Sequence, residues 1–310
     1  MPGSLVIVNP RASRARDAST LAALTERAGE VLTARDGTAP RFVETSRPEE
    51  AGTLAAAAVE DGVASVIGVG GDGTMRDIAT ALSDTEVPLG IVPAGTGNQV
   101  AAALGYPRSP AAAMDVLERA VPRTIDLGEV TVHAGGETST SLFLIGCGAG
   151  FDAQLMATTP SGLKRRLGTL AYFIQAARLV FGLSATTTRV TVDDQTFETG
   201  TTIVLLGNMG HLVPGRLDLR MPLDPYDGLL DLIVVAAPNA VAGLRGLADQ
   251  LRRSDLGGGA GDGSIRLRGR TLSIEPAEPM PLEIDGDYVG EGRLEARILP
   301  HALPVLVPAG

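Results

Sequence analysis

The 310-residue chain has no tryptophan, one cysteine and three histidines, and aromatic residues make up 3% of it. With so few rings the core has to be built from Ala, Val, Leu and Ile, and the 44% hydrophobic content supplies them. That content, beside only 20% charged residues, excludes a disordered chain. A single cysteine, Cys147, excludes an internal disulfide and points to a reducing, cytoplasmic setting. It sits in an apolar run and reads as core. Positive charge is short as well. A formal net charge of −10 disfavours a general nucleic-acid binder. No window reaches the ~18 continuous apolar residues that a bilayer span needs. The start, "MPGSLVIVNPRAS", has too brief an apolar stretch for a signal peptide. The expectation is a soluble protein that is still able to touch a membrane surface. His133, His211 and His301 lie far apart and share no metal or catalytic spacing.

What is present in quantity is glycine, 39 residues, concentrated at the ends of apolar runs. In the first third, strand and helix signals alternate. "SLVIVNP", "RFVETS", "ASVIGVG" and "VPLGIVP" read as strands. Leu21, Leu24, Ala28, Val31 and Leu32 share one helical face. "PEEAGTLAAAAVE" predicts a helix with Pro48 and two acids in its first turn, and further helices follow from Thr74, through "QVAAALG", and in "SPAAAMDVLERA" behind a Ser cap. This order predicts an α/β domain over residues 1–125 with a parallel sheet covered on both faces. From residue 126 to 310 the texture is antiparallel β and sandwich-like, with Gly-Gly and Asp-Gly turns between strands. Helices are expected at about 162–181 and 240–253, and a low-complexity loop at 257–264. The last strand is a candidate to pack back on the first domain.

"VIGVGGDGTMRDIATAL" raises a chemical problem. A glycine-rich turn from strand to helix offers free N–H groups and a positive helix end, which favour phosphate. Asp72 in its middle would repel phosphate. The turn has neither the Lys of a Walker A loop nor the spacing of the dinucleotide fingerprint. Alone, it could equally be a tight β-α turn. About 22 residues later "IVPAGTGNQ" repeats the design, and "VNPRAS" ends the first strand with more polar groups. Three polar loops at the carboxyl ends of parallel strands would flank one crevice. A divalent cation between Asp72 and the phosphates would relieve the repulsion, so Mg²⁺ delivered with a nucleotide is expected.

Gly70-Gly71-Asp72-Gly73-Thr74, followed by Pro93-Ala94-Gly95-Thr96-Gly97-Asn98, resembles the diacylglycerol kinase catalytic family, which takes in bacterial diacylglycerol kinases, YegS-like lipid kinases and sphingosine and ceramide kinases. The resemblance continues in order through "NPRAS", "TIDLG", "GCGAGFDA", "KRRLGTLAYF", "LDPYDGLLDL" and "EIDGD", over nearly the whole chain. It implies a Rossmann-like nucleotide-binding domain and an ATP-dependent phosphotransferase. It implies ATP at Asn9, Thr45, Gly70, Gly71, Asp72, Gly73, Thr74, Gly95, Thr96 and Asn98. It also implies a metal turn at Asp227 with help from Asp224 and Leu229. Asp287 would be the proton acceptor and Asp285 its neighbour, while Asp72 and Asp126 tie the reacting Mg²⁺ into the site. The implied acceptor is a lipid at a membrane surface, diacylglycerol-like or sphingoid. The protein would be cytoplasmic and peripheral to the inner face of the membrane; a homodimer follows by family analogy alone.

Three residues depart from the family pattern. Arg76 stands where Asn is common, Gln99 where Asp is frequent, and the family's Asp-Gly-Glu is Asp-Gly-Asp. Asp287 therefore reaches roughly 1.5 Å less far, about half a hydrogen-bond length. A misplacement of about 1 Å can lower a rate ~100-fold. Arg76 reads either as a helix-surface residue or as a cation aimed at phosphate. Lys164, Arg165 and Arg166, and the alternating Arg266, Arg268 and Arg270, read either as solvated faces or as patches for anionic headgroups. Two rival functions stay open: an NAD kinase-like or other small-alcohol kinase, and a non-catalytic nucleotide- or lipid-binding module.

Overall fold

The computed structural model describes residues 3–15, 18–150, 185–210, 223–235 and 264–309. The helices expected at 162–181 and 240–253, most of the glycine-rich loop, Lys164–Arg166 and His211 lie outside the described residues. The chain forms two compact units, residues 1–127 with 300–310, and residues 128–299.

The first unit alternates strand and helix: β1 (Leu5–Val8), α1 (Ala18–Asp36), β2 (Arg41–Glu44), α2 (Glu50–Glu60), β3 (Val66–Gly70), α3 (Asp72–Leu82), β4 (Leu89–Pro93), α4 (Gln99–Ala103) and α5 (Pro110–Val116). The strands pair in parallel in the order β2-β1-β3-β4. β1, β3 and β4 are buried throughout, as strands covered on both faces must be. β2 is the edge strand and is largely exposed. Helices α1 and α5 pack together, as do α2 and α3. In α1, Leu24, Ala28, Val31 and Leu32 are buried as the helical spacing predicts. In α5, Ser109 caps Ala112 N–H and Pro110 occupies the first turn.

Two helix starts differ from expectation. α2 begins at Glu50, so Pro48 and Glu49 precede it. Glu49 takes a left-handed φ of 63°, and the Glu50 carboxylate turns back to accept from Ser46 N–H, Ser46 Oγ and Arg47 N–H. That local capping holds Glu50's carboxyl below the usual range, first through the Ser46 backbone hydrogen bond. α3 begins at Asp72 rather than Thr74, so the acid lies in the first helical turn.

The second unit is antiparallel β and sandwich-like. Its strands are β5 (Val121–Ala134, which starts in the first unit), β6 (Glu137–Phe143), β7 (Gly146–Gly150), β8 (Thr186–Val192), β9 (Gln195–Thr201), β10 (Ile203–Gly207), β11 (Leu230–Val235), β12 (Ser264–Gly269), β13 (Thr271–Pro276), β14 (Met280–Ile284) and β15 (Asp287–Val307, which ends in the first unit). One path of neighbours runs β12-β11-β10-β7-β14-β15. Gly135 and Gly136, both with positive φ, turn β5 into β6. The core includes Val130, Phe143, Cys147, Val190, Leu232 and Leu294, all at most 1% exposed. Phe143 lies over Gly128, where a Cβ would come within 2.0 Å of the ring. Cys147 is a core residue as expected: burial raises its thiol pKa well above the ordinary value, with Glu283 and Asp285 adding to the rise.

Candidate functional site

In the first unit β1 leads to β2 on one side and to β3 on the other, so the chain reverses its direction of sheet growth between β1 and β3. Open α/β sheets bind ligands outside the carboxyl ends of the strands at such a point. The loops after β1 and β3 meet there. Asn9 Nδ2 donates to Thr74 Oγ1 at 3.0 Å, and Asn9 N–H donates to Val69 O at 2.9 Å. Thr45, at the end of β2, is buried and gives its N–H to Val8 O at 2.9 Å. The loop after β4 closes the group: Ala94 and Gly95 N–H both donate to Gly70 O, at 2.7 and 3.1 Å. The two glycine loops touch backbone to backbone. A Cβ on Gly95 would lie 2.5 Å from Gly71 Cα, so this approach requires glycine.

α3 opens with Gly71 as its N-cap and no side-chain cap. The positive end of the helix therefore stands at the loop with no capping side chain at Gly71. Asp72 lies in that turn, yet its Oδ1 accepts from Val100 N–H at 3.0 Å in α4. The carboxylate thus ties the two loops together. Asn98, left-handed at φ 53°, clasps its own loop: Gly95 N–H donates to its Oδ1 at 2.9 Å, and its Nδ2 donates to Gly95 O at 2.8 Å. Thr96, Gly97 and Gly73 are exposed at the surface of the cradle. Burial raises the Asp72 pKa, outweighing the stabilising N–H groups of Val100, Gln99 and Asn98. The carboxylate therefore still demands positive charge, and an Mg²⁺ ion carried on a nucleotide fits that demand.

Asn9, Thr45, Gly70–Thr74 and Gly95–Asn98 are thus gathered at adjacent strand ends. Asp126 is built elsewhere, within β5. It is fully buried and accepts from His301 N–H at 2.8 Å, holding the chain where His301 takes a φ of 54°. Arg76 is half-buried in α3, and its carbonyl accepts from Thr80 Oγ1. Gln99 opens α4 with its Oε1 buried and without a hydrogen-bond partner. Two residues that the sequence reading passed over brace the first loop. Arg11 Nη2 donates to Ser46 O, and Ser13 Oγ donates to Ala94 O at 3.2 Å. Their only sequence signal is membership of "NPRAS".

In the second unit, Asp285 and Gly286 form the two-residue turn between β14 and β15, with φ of 48° and 85°. Both angles positive is the turn geometry that Asp-Gly favours. The Asp285 carboxylate accepts three backbone N–H groups, from Leu144 (3.0 Å), Ile145 (2.8 Å) and Gly146 (3.0 Å). Asp285 is therefore a clasp that fixes the 144–146 segment against the hairpin. Asp287 follows at the start of β15 and is exposed. Glu283, not foreseen, is buried and accepts from Gly286 N–H at 2.7 Å, bracing the turn from the other side.

At the expected metal turn, Asp224 Oδ1 accepts from Tyr226 N–H at 3.1 Å and Asp227 Oδ1 from Leu229 N–H at 3.0 Å. Asp227 Oδ2 pairs with Arg268. Buried Asp231 pairs with Arg266 at 2.6 Å and lies 3.3 Å from Arg268 Nε. This corrects the reading of Arg266 and Arg268 as a solvated or headgroup-binding stripe: both are ion-paired within the unit. It also means that the turn, as built, fits a divalent cation poorly, because the Asp227 charge is already met by Arg268 and Asp224 is the turn's one other carboxylate. Among the described residues no group of three or more His, Cys, Asp or Glu side chains is arranged to hold a metal. No described helix is long and apolar enough to cross a membrane.

Comparison with known proteins agrees with this architecture. Residues 3–130 match the model of the diacylglycerol kinase catalytic domain, and residues 146–307 match that of the YegS C-terminal NAD kinase beta sandwich-like domain. A protein of Pseudomonas aeruginosa named "Probable lipid kinase YegS-like" is 34% identical over 283 residues, covering 90% of this chain and 84% of that protein. One of the same name from Pseudomonas savastanoi pv. phaseolicola is 33% identical, covering 84% and 81%. The crystal structure of a diacylglycerol kinase from Bacillus anthracis matches with a TM-score of 0.72 at 19% identity, over 98% of this chain and 96% of that one, and shows the shared fold. The chain belongs to the YegS-like lipid kinase family, with a diacylglycerol kinase catalytic domain followed by a YegS-type β sandwich-like domain.

Proposed function

We propose that the protein is an ATP-dependent lipid kinase that transfers the γ-phosphoryl group to a lipid hydroxyl, diacylglycerol-like or sphingoid, at a membrane surface. The observation that carries this reading is the backbone contact of the two glycine loops beside an uncapped α3 N-terminus, with Asn9, Thr45 and Thr74 around it. Such a group of N–H donors suits the β- and γ-phosphates. Mg²⁺ bound with ATP would neutralise phosphate charge, and Asp72 is the residue suited to hold it. Asp72 also keeps the loops in register, so its charge and its hydrogen bonds serve one geometry. Asp287 is the proposed proton acceptor for the attacking hydroxyl. Asp285 acts through the backbone, aiming the hairpin on which Asp287 sits.

The test incubates the purified full-length chain with γ-labelled ATP, Mg²⁺ and extracted cellular lipids, and identifies labelled product by mass spectrometry. A phosphorylated lipid supports the proposal. No phosphorylated product across a panel of lipids and polyols overturns it, and formation of NADP in a parallel assay would point instead to an NAD kinase-like activity. A second reading, a module that binds nucleotide without turnover, is favoured by one observation: the Asp285 carboxylate is wholly engaged in structure, leaving the shorter Asp287 as the exposed acid. ATP binding without turnover, unrepaired by Asp287→Glu, would establish that reading.

A further inference from the structure

The geometry points to Arg268 as a built-in replacement for a divalent cation at the Asp224–Leu229 turn. The turn has the shape of a cation loop: Gly228 at φ 72°, Asp224 and Asp227 three residues apart, and backbone N–H groups folded onto both carboxylates. Hard cations demand several anionic or carbonyl oxygens at once. Here Asp227 offers Oδ1 to Leu229 N–H and Oδ2 to the Arg268 guanidinium. The same guanidinium reaches buried Asp231 through Nε, and Arg266 takes the other side of Asp231. The charges of Asp227 and Asp231 are matched by two guanidinium groups, which leaves Asp224 as the turn's other carboxylate and removes the concentrated negative charge that a dication needs.

The strands make this placement obligatory. β11 and β12 pair antiparallel with Asp231 opposite Arg268 and Ile233 opposite Arg266. Residues 266 and 268 share a face of β12 by the two-residue period of a strand. Both arginines therefore project on the side of Asp231, and Arg268 is the one whose reach ends at the turn before β11. Burial lowers the Arg268 pKa, but Asp231 and Asp227 outweigh it and hold the group above its ordinary value, so it stays charged. A planar guanidinium spanning two acids suits this task better than a lysine point charge.

Thermal unfolding of the full-length chain without nucleotide tests the inference independently of the kinase reading. The melting temperature of the unmodified protein should be the same in EDTA and in millimolar Mg²⁺. Arg268→Ala leaves Asp227 and Asp231 with one cation between them. It should lower the melting temperature by about 4–10 °C in EDTA, and Mg²⁺ should restore part of that loss by mass action. The double variant Arg268→Ala with Asp227→Asn should not respond to Mg²⁺. If Arg268→Ala fails to fold in EDTA, refolding yield with and without Mg²⁺ carries the same comparison. If it folds in neither, the unmodified protein and Asp227→Asn decide alone: no Mg²⁺ response in either supports the inference. Stabilisation of the unmodified protein by Mg²⁺ that Asp227→Asn abolishes would overturn it, as would an Arg268→Ala variant that folds but gains no Mg²⁺ response.

Discussion

Three carboxylates in this chain that resemble one another in sequence have three different physical situations. Asp72 is buried more than it is compensated, so its folded-state pKa lies above its unfolded one. A group with a raised pKa contributes stability below its unfolded value and loses that contribution as pH rises through the folded value. Asp72→Asn keeps an acceptor for Val100 N–H and removes the charge. The variant should therefore gain in melting temperature relative to the parent as pH rises from about 4 to 7, while ATP-dependent turnover falls. A constant difference across that range, followed by differential scanning, would refute the assignment. Asp285 and Asp287 separate differently. Asp285→Ala orphans three backbone N–H groups and should destabilise the second unit by about 2–4 kcal/mol. Asp287→Asn, at an exposed strand start, should destabilise the unit less than Asp285→Ala does. It should, however, lower turnover by ~100-fold or more. Denaturant melts and initial rates on both variants give the comparison, and equal stability losses would remove the distinction between clasp and proton acceptor.

Among the elements, the contact between the two glycine loops makes the sharpest prediction. Gly95→Ala would put a methyl group 2.5 Å from Gly71 Cα and 3.0 Å from Asn98 Oδ1. The loops would have to part, and affinity for an ATP analogue should fall about tenfold or more, equivalent to ~1.4 kcal/mol, as read by fluorescent nucleotide titration. Unchanged affinity would mean that the cradle is not the nucleotide site. Much of this site was legible in the chain, because apolar runs ending in Gly-Gly-Asp-Gly-Thr and Gly-Thr-Gly-Asn mark strand ends and helix starts by local chemistry alone. Less legible was what the side chains do there. The acid of Asp72 was legible as a partner for a cation, but its second task of tying the two loops together was not, because only the fold brings Val100 N–H to it. Arg266 and Arg268 looked like a basic stripe because their acidic partners come from β11 and the turn before it, at least 35 residues away. Pairing across strands leaves no periodic trace in sequence. Pro48 misled the start of α2 because Glu49 adopts a left-handed conformation that composition does not reveal.

At the scale of the molecule, the first unit is not continuous in sequence. Residues 300–310 belong to it, and Val305 pairs in parallel with Leu89 of β4. Leu303, Val305 and Leu306 are fully buried and Val307 nearly so. Tyr106, buried in the first unit, gives its hydroxyl to Leu306 O, and burial raises its pKa well above the ordinary value. Each of these aliphatic side chains stabilises the fold by about 1.5–3 kcal/mol on burial. Four together rival the whole stability of a typical domain, ~5–15 kcal/mol. Residues 1–127 expressed alone should therefore fail to give a cooperative thermal transition, although they carry every glycine loop of the nucleotide site. Joining residues 300–310 to residue 127 through a short flexible linker should restore both the transition and ATP-analogue binding, since closing a modest loop adds only a small entropic penalty. Circular dichroism melts of the two fragments make the comparison. A cooperative melt by residues 1–127 alone would show that the terminal strand covers the sheet without being required for it. Recovery of the melt without recovery of binding would separate the stability of this unit from the geometry of its loops.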